Sequence, residues 1–201
     1  MQLKVCGMKD PNNIQQLATL QPDWMGMIFY EKSPRHVDTR ITTNNHLKKI
    51  GVFVNATQDY IDQKIAAYQL AGIQLHGKET PEFCARFQQR GLTTLKAFSI
   101  DEHFDFALTD AYHDHCDLFV FDTKGKNPGG NGLTYDWGIL QKYTGATPFL
   151  LSGGINPSLV EAILQFDHPR WEGLDINSGF EIAPGIKNIE LIKKFKDDLS
   201  N

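Results

Sequence analysis

"PFLLSGGINPSLVEAILQFDHPRWEGLDINSGFE", residues 148 to 181, repeats one plan twice. A short apolar run, Phe149 to Leu151, ends in Ser152 and a glycine pair. A second run, Gly173 to Ile176, ends in Asn177-Ser178-Gly179. Continuous apolar runs of this length are expected of parallel strands covered on both faces. Between them, Asn156-Pro157 puts a capping side chain before a proline, which is how helices prefer to start. Leu159, Val160, Ile163 and Leu164 then follow as an apolar stripe at helical spacing. The reading is strand, turn, helix, strand, turn.

The same unit recurs toward the N-terminus. "LKVCG", "WMGMIFY", "IGVFVN", "GIQLHG", "TTLKAF" and "DLFVFDT" precede the two runs above, making eight. Asp10-Pro11 and Thr80-Pro81 repeat the cap-and-proline start. Phe83 and Phe87 fall on one helical face, with Gly91 as a stop. Ile189, Ile192, Phe195 and Leu199 form a last stripe. The polar stretch Asp38–Lys48 and "DEHFDFALTDAY" (101–112) carry only weak helix patterns. Eight such units fit a (β/α)8 barrel, and an open doubly wound sheet competes with it on local pattern alone. Cys6, Asp122, Gly153-Gly154 and Asp175 decide between them. They follow strands of units one, six, seven and eight, and only a closed TIM barrel brings the first strand beside the last. One barrel domain over residues 1–201 is therefore expected, with no linker or low-complexity tract.

Bulk properties agree with this reading. With 201 residues, 41% hydrophobic and 22% charged, the chain has the composition of a globular protein large enough for a sizeable core. A formal charge of −4 argues against a nucleic-acid partner. No apolar run nears the ~20 residues that span a bilayer, so no membrane partner is expected. Three cysteines, far apart and odd in number, suit free thiols in the cytoplasm.

Several positions are candidates for chemistry, each with a plainer explanation beside it. The turns Gly153-Gly154 and Asn177-Ser178-Gly179 follow strands seven and eight, where barrels often bind phosphate. Backbone N–H groups converge there on an anion, and glycine lets the main chain come close. Asp122 closes strand six ahead of the glycine-rich "TKGKNPGGNGLTYDW", which lacks the spacing of a nucleotide P-loop and reads as a βα loop able to close over a substrate; a turn-forming carboxylate is the alternative. Arg35, in "FYEKSPRHV", can pair with a carboxylate or phosphate or simply be solvated. Gln74 and His76 end strand four and line either the pocket or the surface. "YHDHCD" (112–117) looks like a metal cluster but lies at the start of strand six, the stability end of a barrel, so no metal site is expected. Cys6 alone would be a small packing residue. Its place beyond strand one, in a barrel that also carries Asp122 and a phosphate cradle, favours chemistry.

Taken in order, "KVCGMKD", "GMIFYEKSPRHV", "IGVFVN", "IQLHGKE", "FDTKGKNPGGNGLTYDW", "LLSGGINP" and "GLDINSGFEIAPGIKN" resemble the phosphoribosylanthranilate isomerase family of tryptophan biosynthesis over nearly the whole chain. The stretch Thr39–Asn45 is shorter than the family pattern, which puts a second helix in doubt. The resemblance implies an Amadori rearrangement of N-(5-phospho-β-D-ribosyl)anthranilate to 1-(2-carboxyphenylamino)-1-deoxy-D-ribulose 5-phosphate, without cofactor or metal. It implies Cys6 as general base, Asp122 as general acid and Arg35 at the anthranilate end. Gln74, His76 and Asp175 are expected as further substrate contacts, and Gly153, Gly154, Asn177, Ser178 and Gly179 as phosphate contacts. The only expected partner is the small phosphosugar, and monomer and homodimer are both open. A free cysteine with pKa near 8.5 is only ~3% thiolate at pH 7, a deficit of about 2 kcal/mol, so the fold must help form the base. Another phosphosugar barrel enzyme would need a catalytic lysine–glutamate set or a metal site. A non-catalytic phosphosugar-binding module would keep the glycine turns without needing both Cys6 and Asp122.

Overall fold

The computed structural model describes residues 1–39, 41, 46–123 and 137–200. Eight parallel strands close a barrel in chain order: β1 Gln2–Val5, β2 Trp24–Ile28, β3 Lys49–Phe53, β4 Gly72–Leu75, β5 Thr93–Ile100, β6 Leu118–Thr123, β7 Phe149–Ser152 and β8 Trp171–Ile176. These are the eight runs read from the sequence. The closing seam pairs β8 with β1, with Gln2 opposite Gly173 and Lys4 opposite Asp175. The open doubly wound sheet is thereby excluded.

Strand alternation sorts side chains into two layers. Trp24, Ile50, Leu95, Ala97, Leu118, Val120 and Leu150 form a compact cluster inside the barrel. Leu3, Val5, Phe119, Phe121, Phe149, Leu151, Leu174 and Ile176 face outward and pack under the helices. Lys4 lies level with Trp24 on the neighbouring strand and is fully buried. A charged group therefore sits in the apolar inner layer.

The helices start where the caps predict. Asp10 accepts from Asn13 N at α1 (Pro11–Ala18), and Thr80 accepts from Phe83 N at α3 (Pro81–Gln88). Thr57 does the same for α2 (Gln58–Tyr68), a helix for which the sequence offered no proline mark. "DEHFDFALTDAY" becomes a 3-10 turn, Phe106–Tyr112. After Asn156 the chain makes a 3-10 turn (Pro157–Leu159) and only then α4, Val160–Gln165. That change of pitch breaks the predicted stripe: Ile163 is buried but Leu164 faces solvent. The last helix, α5 (Ile189–Ser200), buries Ile192 and Phe195 as expected.

One element was not anticipated. Between β8 and α5 the chain forms an antiparallel hairpin, β9 (Glu181–Ala183) with β10 (Ile186–Lys187). Asn13 of α1 holds it. The Asn13 amide donates to Lys187 O at 2.9 Å, and Lys187 N donates back to Asn13 Oδ1 at 2.7 Å. Both residues are buried. Asn13→Ala leaves a buried N–H and a buried carbonyl without this partner, so urea unfolding should show a loss of about 1–3 kcal/mol.

Candidate active site

Cys6 follows β1 and points, like Lys4 two residues earlier, into the barrel. Its backbone N–H donates to Ile176 O across the seam at 2.8 Å, and its side chain is buried. Space for the sulfur comes from Gly26 on β2: a Cβ there would lie 2.8 Å from Cys6 Sγ. Gly7 follows in the left-handed region at φ +78°, where a Cβ would stand 2.6 Å from Asn177 Oδ1 and 2.8 Å from Arg35 Cδ. Only glycine lets the chain turn out of the barrel under those two side chains.

Below the sulfur, Lys4 Nζ is held by both oxygens of Asp175 at 2.9 Å each. The Cys6 side chain lies within electrostatic range of the same ammonium. Burial works against the Lys4 ammonium, but Asp175 and Cys6 outweigh it and hold its pKa above the ordinary lysine value. Burial also pushes the Cys6 thiol up. Lys4 opposes that, Asp175 adds to it and Lys187 opposes it again, and the net shift is upward.

Above the sulfur lies a second set of charges. Arg35, in the turn after β2, donates from Nε to Glu181 at 2.8 and 3.0 Å and from Nη2 at 2.6 Å. Lys187 Nζ reaches Glu181 at 2.7 Å and Asn177 Oδ1 at 2.8 Å. Gly185 N donates to the same carboxylate at 2.9 Å. Burial alone would raise the Glu181 pKa, yet the hydrogen bonds from Arg35, Lys187 and Gly185 hold it at about 2. The hairpin is thus the arm that carries Glu181 and Lys187 over the barrel mouth.

On the facing side, Asp122 Oδ2 lies 3.5 Å from His76 Nε2, both about one-third exposed. Register links this pair to the seam: Asp122 is opposite Ser152, and Leu151 is opposite Leu174, the residue before Asp175. Asp175 is within electrostatic range of both His76 and Asp122. Gln74, buried beneath, places Nε2 at 3.4 Å from His76 Nδ1, and its Oε1 has no protein partner among the described residues. The loop carrying His76 is fastened from outside. Glu79 accepts from Asn55 N and Gly77 N, while Lys96 reaches Leu75 O, Gly77 O and Glu79. The glycine-rich loop after Asp122, read as a closing loop, lies at 124–136, outside the described residues.

The two predicted phosphate turns are adjacent. Gly153 and Gly154 both take positive φ, and a Cβ on Gly153 would strike Thr123 O. A Cβ on Gly179 would stand 2.1 Å from Ile155 O, so the turn after β8 rests against the turn after β7. Asn177 accepts from Lys187, and Ser178 and Gly179 form a one-turn 3-10 segment through Phe180. In "YHDHCD", His113 bonds Thr147 Oγ1 at 2.8 Å and packs beside Phe119 and Tyr143, a structural histidine in an aromatic cluster.

Two expected contacts have engagements that the sequence did not reveal. Both Asp175 oxygens are taken by Lys4, and Arg35 is clamped by Glu181. Lys4, Glu181 and Lys187 were missed as site residues. Alternation from Cys6 would have found Lys4, since residues two apart on a strand share a face. Nothing local marks Glu181 as a site residue, because Arg35, which it holds, lies 146 residues away in the chain.

A closed eight-stranded parallel barrel with titratable groups gathered at the carboxyl ends of its strands belongs to the TIM-barrel enzymes. A family model described as N-(5'phosphoribosyl)anthranilate (PRA) isomerase matches residues 3–198, and the chain belongs to that family. It is 48% identical to N-(5'-phosphoribosyl)anthranilate isomerase of Parabacteroides distasonis over 97% of this chain and 91% of the relative. It is 44% identical to the enzyme of that name from Phocaeicola vulgatus, over 99% and 98%. Among solved structures, phosphoribosyl anthranilate isomerase from Thermotoga maritima superposes with a TM-score of 0.85 at 29% identity, covering 100% of this chain and 98% of that one. A structure of such an isomerase in complex with reduced 1-(o-carboxyphenylamino)-1-deoxyribulose 5-phosphate gives 0.83 at 26% identity, over 100% and 98%.

The charge network has a pH signature. The Glu181 pKa is depressed from 4.5 to about 2, so its stabilising contribution is complete above about pH 5 and is lost as pH falls toward 2. In urea titrations across that range, the stability gap between the parent and Glu181→Gln should be constant above about pH 5 and shrink steadily below it. A gap that widens on acidification contradicts the assignment.

Proposed function

We propose that Cys6 and Asp122 perform this family's reaction here, the Amadori rearrangement of N-(5'-phosphoribosyl)anthranilate to 1-(o-carboxyphenylamino)-1-deoxyribulose 5-phosphate in tryptophan biosynthesis. One observation carries the assignment: a buried thiol with ammonium groups around it shares the barrel mouth with a carboxyl, one-third exposed, on a histidine. In this reading Asp122 acts first as an acid. It protonates the ribose ring oxygen, and the C1′–O bond breaks as the nitrogen lone pair forms a Schiff base. The Cys6 thiolate then removes the C2′ proton, giving an enolamine and a thiol. Tautomerisation of the enolamine gives the ketone, and the acid and base return to their starting forms through solvent.

The remaining roles follow the same reading. The phosphate docks on the turns Gly153-Gly154 and Asn177-Ser178-Gly179. Arg35, presented by Glu181, meets the anthranilate carboxylate. Gln74 and His76 line the pocket, and His76 holds Asp122 toward the sugar. Asp175 acts beneath the substrate by fixing Lys4. The chemistry draws on no metal or cofactor and on side chains of a single chain, so a monomer suffices for it. Residues 1–201 work as one catalytic domain. Three free thiols, all buried, suit the reducing cytoplasm. No helix among the described residues is long and apolar enough to cross a membrane.

The decisive test follows disappearance of substrate fluorescence with purified protein in excess chelator. The parent should turn over fully. Cys6→Ala and Asp122→Asn should each lower kcat by about 10²–10⁴-fold, while affinity for the reduced product analogue stays within about threefold of the parent. An active Cys6→Ala enzyme sinks the base assignment.

A further inference from the structure

The Lys4–Asp175 pair is out of place by the rules of a barrel interior. Its neighbours in the inner layer are Trp24, Ile50, Leu95, Ala97, Leu118, Val120 and Leu150. Two charges are withdrawn from water there, at relative exposures of 0% and 5%. Buried ion pairs contribute little net stability, and apolar replacements of similar volume often do as well or better. The third member of the group is Cys6, two residues after Lys4 and so on the same inward face of the chain, within electrostatic range of its ammonium.

We propose that Lys4 is a positioning residue for the base: its ammonium, clamped by Asp175, is the counter-charge on which the Cys6 thiolate forms. The proposal deepens the catalytic reading and rests on it for its meaning. Charged groups reach Cys6 from several elements. Lys4 comes from β1 and Asp175 from β8, with Lys187 from β10 and Arg35 from the turn after β2. Glu181 stands behind the last two, and His76 and Asp122 lie across the interior near Asp175. Each lysine beside the sulfur therefore has its own carboxylate. Lys4 has Asp175, and Lys187 has Glu181.

This pairing has a chemical consequence. A bare buried lysine would hold the thiolate so firmly that it would be a poor acceptor for a carbon-bound proton, because base strength falls with pKa. A thiol with no cation nearby would stay protonated in this dry site. Lysines whose charge is already shared with a carboxylate sit between those limits. When Cys6 loses its proton to solvent, the Lys4 ammonium redistributes its hydrogen bonds between carboxylate and thiolate, and no group has to move into the barrel. When the thiolate takes the C2′ proton, the ammonium returns fully to Asp175.

The test is a titration of Cys6 in the free enzyme. The ultraviolet absorbance of the thiolate is followed against pH, each protein being compared with its own Cys6→Ser derivative so that Cys84 and Cys116 cancel. Lys4→Met should move the midpoint to higher pH, lowering the thiolate fraction more than about tenfold at a fixed pH below the midpoint, and Asp175→Asn should move it to lower pH by a smaller factor. The limb of the kcat/KM profile that rises with pH should move in the same two directions. Should Lys4→Met fail to fold, Lys4→Met/Asp175→Leu removes the pair together, and its midpoint should still lie above that of the parent. A midpoint unmoved in the lysine variants, or shifted upward in Asp175→Asn, overturns the proposal. The titration is independent of turnover. An active Cys6→Ala enzyme would remove the general-base reading and leave the Lys4–Cys6 linkage to stand or fall on its own.

Discussion

The hydrogen-bonded seam between β8 and β1 is the constraint on which everything else in this molecule depends. It joins residue 2 to residue 173 and residue 5 to residue 176, and so brings the two ends of the chain into one wall. The Lys4–Asp175 pair spans that seam from inside, and Cys6 N–H closes its upper end on Ile176 O. Without closure, the thiol, its counter-charges and the turns after β7 and β8 would lie on opposite edges of an open sheet.

On that frame the site is built from few parts. Small residues make room: Gly26 for the sulfur and Gly7 for the chain leaving beneath Arg35 and Asn177. Two lysine–carboxylate pairs flank the thiol, one from the strands and one from the β9–β10 hairpin. The hairpin is in turn tied to α1 through Asn13. On the far wall Lys96 and Glu79, both outside the barrel, fasten the loop that holds His76 against Asp122. The functional side chains thus come from the exits of several different strands, which is how barrels assemble sites from distant segments.

Much of this was legible in the chain itself. The strands could be read because parallel strands covered on both faces leave continuous apolar runs, and α1 and α3 because Asp10-Pro11 and Thr80-Pro81 are local starts. Cys6, Asp122 and the two glycine turns stood out because each follows such a run. The hairpin was invisible: "FEIAPGIKN" has neither the length nor the alternation of a hairpin, and it forms because Asn13 and Glu181 hold it. The stripe through Leu164 misled because a 3-10 turn shifts the phase of the helix after it. His113 could be set aside as a metal ligand from its place at the start of strand six, but the aromatic wall around it could not be read from spacing along the chain.

By itself, the sequence determined the strand–helix repeat, the turns and which residue types end each strand, because these follow from local sterics, capping and hydrophobic period. The tertiary structure alone decided which of those residues meet. Lys4 becomes the partner of Asp175, and Glu181 the partner of Arg35, only because strand register and barrel closure fix distances between groups 171 and 146 residues apart in the chain. A charged side chain carries no record of its partner in its own neighbourhood; the partner is set by where the backbone has been forced to run.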